Sequence, residues 1–424
     1  MNIARLLRSS LVLLAATAAA ACSDSGTAVA GIDLPGGTAK LTLTSPVNGD
    51  TVWGRAVPIF GQLAGYGGNA SLTYELNGGA PRPVNLAEQV YGDVYDLRDG
   101  ANTIVFSAVD SAGRKLTMTV QVVAVVPPAA YSPAVLVAAA GDTASVALGM
   151  SGAGAVIGWS TAANGTRSAV LWRAGTAALL DPIVRPYAVN DRGQVVGDAV
   201  NAAYLWENGS VTALATTARP VDINGVGHIL NASLPARILR GALADTLPLP
   251  PTSGAAYVRA INASDVVVGQ DGSLYPHATR WVPGKAPMGI NVGISRESGA
   301  VDINDGGQVI GWRSLRGFGT YSPEYLEERA FLAGTDSTVD LSAHVGFGTV
   351  ASALNAGGAV AGTYHLDGQV RAYVWQSGRM RNVVLTDPSW TIDSVVGISD
   401  AGQLAVNAHN ASGARRALLL TPQH

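Results

Sequence analysis

Apolar and polar residues alternate with a period of two through much of this chain. Leu72, Tyr74 and Leu76 share one face of such a run, as do Ile104, Phe106 and Ala108, and then Leu116, Met118, Val120 and Val122. A strand points successive side chains to opposite faces, so these runs predict half-buried β-strands. Turn formers separate them at Pro46 to Asp50, Asn77-Gly78-Gly79, Leu97 to Gly100 and Asp110 to Gly113. Short strands at this spacing predict a sandwich of two sheets over residues 40–126. A proline-rich linker is expected at 127–133.

Beyond residue 147 a single pattern recurs. Asn190-Asp191-Arg192-Gly193-Gln194-Val195-Val196-Gly197 returns as Asn304-Asp305-Gly306-Gly307-Gln308-Val309-Ile310-Gly311, with looser copies from Ser151, Asn224, Asn262, Asn355 and Ser399. Seven copies are visible, with anchors at Gly158, Gly197, Asn231, Gly269, Gly311, Gly362 and Asn407. A second signature follows: Ala169-x-x-Trp172-x-x-Gly175, Ala203-x-x-Trp206-x-x-Gly209, Ala278-x-x-Trp281-x-x-Gly284 and Ala372-x-x-Trp375-x-x-Gly378, degraded around Ala236, Ala330 and Ala417. Repeats of about 40 to 45 residues without helical periodicity suit a four-stranded propeller blade. In such a blade the inner strand ends at the Asn, and glycine at the last turn position admits the positive φ of a tight hairpin. The Trp on the third strand is expected to pack between neighbouring blades. The last copy lacks an outer strand, and AVLVA at 134–138 is left over before the first. Together they predict a ring closed by the N-terminal strand, with no exposed sheet edge.

These copies resemble the HAF family of extracellular repeats, a likeness covering residues 134–424. The segment DLRDGANTIVFSAVDSAGR with LTMTVQVVAV is similar to the last strands of bacterial Ig-like domains. The fold class expected is therefore all-β, an Ig-like sandwich followed by a seven-bladed β-propeller. The HAF resemblance implies architecture and carries no catalytic residue. The Ig-like one implies a spacer or a contact module for carbohydrate or protein.

The first 21 residues, with Arg5 and Arg8 before an apolar run and then small residues, read as an export signal. The run is too short to span a bilayer. The single cysteine, Cys22, follows Ala19, Ala20 and Ala21 and resembles a lipobox, although Ala19 stands where that motif has Leu. The likeness implies a lipid anchor on Cys22 and membrane attachment. Ser23 after it favours the outer membrane by similarity to lipoprotein sorting signals. Residues 22–39 would then be a flexible tether.

Composition narrows the functions further. The chain is 48% hydrophobic and 13% charged, with a net charge of -3. Disorder is disfavoured, and the basic field that nucleic-acid binding needs is lacking. With one cysteine, an internal disulfide cannot form.

Motifs for chemistry are weak. Gly149-Met150-Ser151-Gly152-Ala153 lacks the last glycine of a nucleophile elbow and falls in a repeat turn. The histidines show no zinc spacing, and Asp302-Ile303-Asn304-Asp305-Gly306 lacks the pattern of a calcium loop. No cofactor is expected. The Asp of each turn is expected to bond its own turn backbone.

Binding residues are sought in the loops joining second and third strands. The longest, 313–329, carries Arg313, Arg316, Phe318, Tyr321, Glu324, Tyr325, Glu327 and Glu328, and His277, His365 and His409 fall in equivalent loops. The function expected is non-catalytic binding or scaffolding at the cell envelope, contacting glycan or protein. One alternative is a glycan hydrolase or lyase using Glu324, Glu327 or Glu328 with His365. Another is a purely structural envelope component.

Overall fold

A computed structural model describes residues 21–23, 27–34, 37–53, 56–65, 70–85, 90–125, 130–200, 202–250, 254–293, 295–315, 327–334, 337–344, 348–366 and 368–423. The chain is all-β and divides into two compact units between Pro128 and Ala129. None of its described helices is long and apolar enough to cross a membrane. Residues 1–20 of the expected export signal lie outside the described residues, and so does the Cys22 side chain.

The first unit contains two five-stranded sheets. The alternating runs become Ser71–Leu76, Gly100–Val109 and Lys115–Val125, neighbours in one sheet, with Asp50–Trp53 added in parallel at its edge. The other sheet joins Gly37–Ser45, Ala56–Ala64 and Val90–Tyr95. Inward residues of both sheets, among them Leu41, Ile59, Val94, Phe106 and Met118, share one core. The stretch expected as a tether carries the strands Ala21–Ser23 and Thr27–Leu34, the second paired with Gly37–Ser45.

The second unit is a β-propeller: its described residues form seven four-stranded antiparallel sheets in sequence order. The first six lie at 144–179, 185–213, 220–246, 256–289, 297–340 and 350–382. The seventh combines Trp390–Ile398, Leu404–Asn410 and Arg415–Gln423 with Ala130–Leu136. This last strand pairs antiparallel with Arg415–Gln423, setting Val135 opposite Leu418. It begins at Ala130, four residues before the expected start, so part of the expected linker is strand. Each innermost strand lies beside that of the next sheet, and Trp390–Ile398 lies beside Ala144–Met150 of the first. Asn407, standing in place of an anchor glycine, bridges the seventh and first sheets: its amide accepts from Ala147 N at 2.8 Å and donates to Ala147 O at 3.0 Å.

The repeated residues make this arrangement. Asn190 Oδ1 accepts from Arg192 N and Gln194 N, folding its own turn, while its Nδ2 donates to Asn224 O of the next sheet at 2.9 Å. The same outward bond runs from Asn224 to Asn262 O, from Asn262 to Asn304 O, from Asn304 to Asn355 O and from Asn355 to Ser399 O. Asp400 N donates to Gly152 O, and Ala153 N donates to Asp191 Oδ1, completing the circuit. The turn aspartates therefore differ from expectation. Asp191, Asp305 and Asp400 accept from the turn backbone of a neighbouring copy, because the Asn has already satisfied the turn it starts.

The tryptophans wedge between sheets, as their spacing predicts. Trp281, 1% exposed, packs with Leu230 and Ile238 of the preceding sheet, and its Nε1 donates to Pro248 O at 2.9 Å. Trp172 does the same against Ala405 and Ala417, with its Nε1 on Val137 O at 3.0 Å. Burying such a side chain contributes about 2 to 3 kcal/mol.

Candidate functional site

Each innermost strand carries a β-bulge three residues before the Asn or Ser of its turn, at Leu148, Tyr187, Val221, Arg259, Val301, Ser352 and Val396. A bulge leaves its residue out of the ladder and re-aims the side chain. Here Tyr187, Val221, Arg259 and Val301 line two cavities at once. One, of about 340 Å³, is ringed by the Asn turns. The other, of about 440 Å³, lies at the end where second and third strands connect, and Arg219, Gln270, Ala300 and Trp312 complete its wall. The two are halves of a central channel with the bulged residues at its waist.

The second half has an unbalanced charge. Arg259 is exposed and makes no hydrogen bond or ion pair with any described residue. Arg219 lies 5.3 Å from the centre of the Tyr187 ring and has no carboxylate partner among the described residues. Asp198 is already committed, to Arg185 at 2.6 and 3.1 Å and to the Tyr187 hydroxyl at 3.0 Å. Burial, then the bond to Asp198, pushes the Tyr187 pKa up, so that hydroxyl stays a neutral donor. Gln270 and Trp312 each follow an anchor glycine and converge over Gly299. A Cβ there would stand 2.7 Å from both Gln270 Oε1 and Trp312 Nε1. Two free guanidiniums, an indole and an amide thus face one mouth.

Beside the waist the chemistry reverses. Asp222 accepts from Ile223 N at 2.8 Å and Ile261 N at 2.9 Å, and Asp302 from Ile303 N at 2.8 Å and Leu354 N at 3.0 Å. Each carboxylate thereby clips its own inner strand to the next. Burial raises both pKa values, and the Asp222 charge helps push Asp302 up to about 7. Asp302 and Asp305 both accept from backbone N–H groups, Asp305 from Ala263 N of the neighbouring copy. Among the described residues no cluster of His, Cys, Asp and Glu could hold a metal.

The residues expected to bind are spread out. His277, 53% exposed, sits in the fourth sheet, 3.8 Å from Asp271. His365 is exposed at the end of Val360–Leu366 in the sixth sheet. His409 meets Asp393 at 2.7 Å in the seventh. All three do lie at connections between second and third strands, but on separate sheets. Arg313 departs from its expected place in a loop: its side chain is 15% exposed, bonded to Val292 O at 2.6 Å and Asp340 at 2.9 Å. Arg316, Phe318, Tyr321, Glu324 and Tyr325 lie outside the described residues, as does the Glu327 side chain; Glu328 is exposed. Sequence reasoning missed Arg219, Arg259, Tyr187 and Trp312. Stacking the copies would have found the last three, since the column three before the turn Asn holds Arg259 and Tyr187, and the column after the anchor holds Trp312.

No family model matches the sequence, and no curated protein matches it. Among solved structures, the chain is similar to the β-propeller domain of the Trilobed protease from Pyrococcus furiosus. That likeness has 12% identity and a TM-score of 0.48, and covers 66% of this chain and 96% of that one. It is also similar to fibronectin(III)-like modules of CbhA from Clostridium thermocellum, at 10% identity and a TM-score of 0.18, covering 41% of this chain and 90% of that one.

Proposed function

We propose that this chain is a non-catalytic binding protein of the bacterial envelope, and that it holds an acidic glycan in the arginine-bearing mouth of its propeller. The observation that carries this reading is the pair Arg219 and Arg259, uncompensated beside Trp312 and Tyr187. Arginine suits the flat carboxylate of a sugar acid, and aromatic faces suit the sugar ring. On this reading the seven sheets are the blades of one closed seven-bladed propeller of HAF-like repeats, the sandwich is an Ig-like spacer, and lipid on Cys22 tethers both to the outer membrane. The signal-like N-terminus and the placement of the only cysteine support the tether.

The test is titration of the protein with uronic-acid oligosaccharides and with neutral ones of equal length. Acidic oligosaccharides should bind, and Arg259→Ala should weaken them at least tenfold, since a charge-assisted bond contributes about 1.5 to 3 kcal/mol. Equal binding of neutral sugars, or binding untouched by Arg259→Ala, contradicts the reading.

A further inference from the structure

The fifth copy departs from its own repeat at the wedge. Where four copies have Trp and two have Leu239 and Leu420, it has Ala333, the smallest residue in that column. Phe331, fully buried two residues earlier, fills that contact with Ala260, Val268 and Ala278 of the fourth sheet, and a groove of about 550 Å³ lies outside it, between the outer strands of the fourth and fifth sheets.

What lines the gap is a second departure. The residue preceding the wedge is Leu171, Leu205, Ile238, Leu332, Val374 or Leu419 in the other copies and Arg280 in the fourth. Arg280 faces this cavity with one hydrogen bond, from Nη2 to Gly307 O at 2.9 Å, and with no carboxylate partner among the described residues. Its Nε is buried without a partner, and desolvation lowers its pKa. Across the gap Arg313 has taken over the task of the missing indole. The Trp172 and Trp281 indoles donate to a carbonyl just beyond the preceding sheet's outer strand, and in the fifth copy the Arg313 guanidinium donates to Val292 O. Among the described residues the only carboxylate lining the cavity is Asp340, which Arg313 and Arg329 already share at 2.9 and 3.2 Å. Met288 and Ile290 add an apolar wall. A positive, partly apolar cavity therefore stands between the fourth and fifth sheets.

We infer that the cavity between the fourth and fifth sheets binds a small organic oxyanion, a carboxylate or a phosphate, through Arg280 beside Arg313. A planar guanidinium accepts either anion through paired N–H groups, and a half-desolvated one gains more from doing so than a surface charge. This site is separate from the channel mouth and does not rest on the glycan reading.

The experiment measures the unfolding midpoint and heat of binding of the full chain with inorganic phosphate, phenyl phosphate or benzoate, against sodium chloride at equal ionic strength. The midpoint should rise with at least one of them by more than with chloride, and the phosphate and carboxylate arms identify which anion is preferred. Arg280→Leu, the residue the first two copies carry, should lower affinity at least tenfold. Arg259→Ala, in the channel mouth, should leave it unchanged. Absence of any specific shift, full binding in Arg280→Leu, or loss in Arg259→Ala would overturn the inference.

Discussion

At Gly362 an added Cβ would run into the Val350 carbonyl oxygen and crowd the Tyr373 hydroxyl, and equivalent backbone collisions await at Gly158, Gly269 and Gly311. The anchor glycine is therefore a matter of space where the bulged inner strand presses on the second strand, and its φ needs no special freedom. Gly362→Ala should cost about 3 kcal/mol or more in denaturant unfolding, because the obstructing atom is backbone and cannot rotate away. Asp302 makes a prediction of a different kind. Its folded pKa of about 7 lies above the roughly 3.9 of an unfolded Asp, so the folded state binds more protons between those values. Stability should fall as pH rises from about 4 to 7, and the decline should be shallower in Asp302→Asn. Asp302 is only half-buried, and solvent in the channel limits the difference to something on the order of 2 kcal/mol. Equal pH profiles for the two proteins would contradict the assignment.

A sheet in this propeller is held by its wedge as much as by its hydrogen bonds. Trp281→Ala should cost about 3 to 5 kcal/mol, since it empties the contact with Leu230 and Ile238 and orphans Pro248 O. Trp312→Ala, at the channel mouth, should cost far less, and paired unfolding curves would show the contrast. These elements were legible in the sequence because each role has its own residue type at a fixed spacing. Asn opens the turn, glycine at Gly193 or Gly307 takes φ of 79° or 77°, and Trp fills the gap. The fourth copy shows the limit of such reading, because Asp265 holds the same turn position at φ 59° without a glycine. The site was less legible. Arg259 and Tyr187 lie in a column the repeat leaves free, and only the bulge that turns that column toward the channel gives it meaning. The long fifth loop drew attention by its charges, yet Arg313 at its start is bonded to Asp340 and Val292 and Arg329 at its end to Asp340.

For the whole molecule, the closing strand decides whether seven sheets in a row become a ring. Each inner strand lies beside those of its neighbouring sheets, and without Ala130–Leu136 the seventh sheet would end in the unpaired edge of Arg415–Gln423. Such an edge invites aggregation. Tyr131 strengthens the seam: it is 5% exposed, its N–H donates to Val384 O at 2.7 Å, and its carbonyl accepts from Thr386 N at 2.9 Å. A leftover strand ahead of the first copy and a missing strand after the last made this pairing legible in the amino-acid pattern alone. Its register and its start at Ala130 were not, because Pro133 made the preceding residues look like linker. Hydrogen exchange of the full chain, followed by mass spectrometry, tests the closure most directly. Closure predicts that amides of residues 130–136 exchange as slowly as those of 415–423, since the two segments open only together. Exchange of 130–136 at the rate of an exposed linker, with 415–423 still protected, would contradict it.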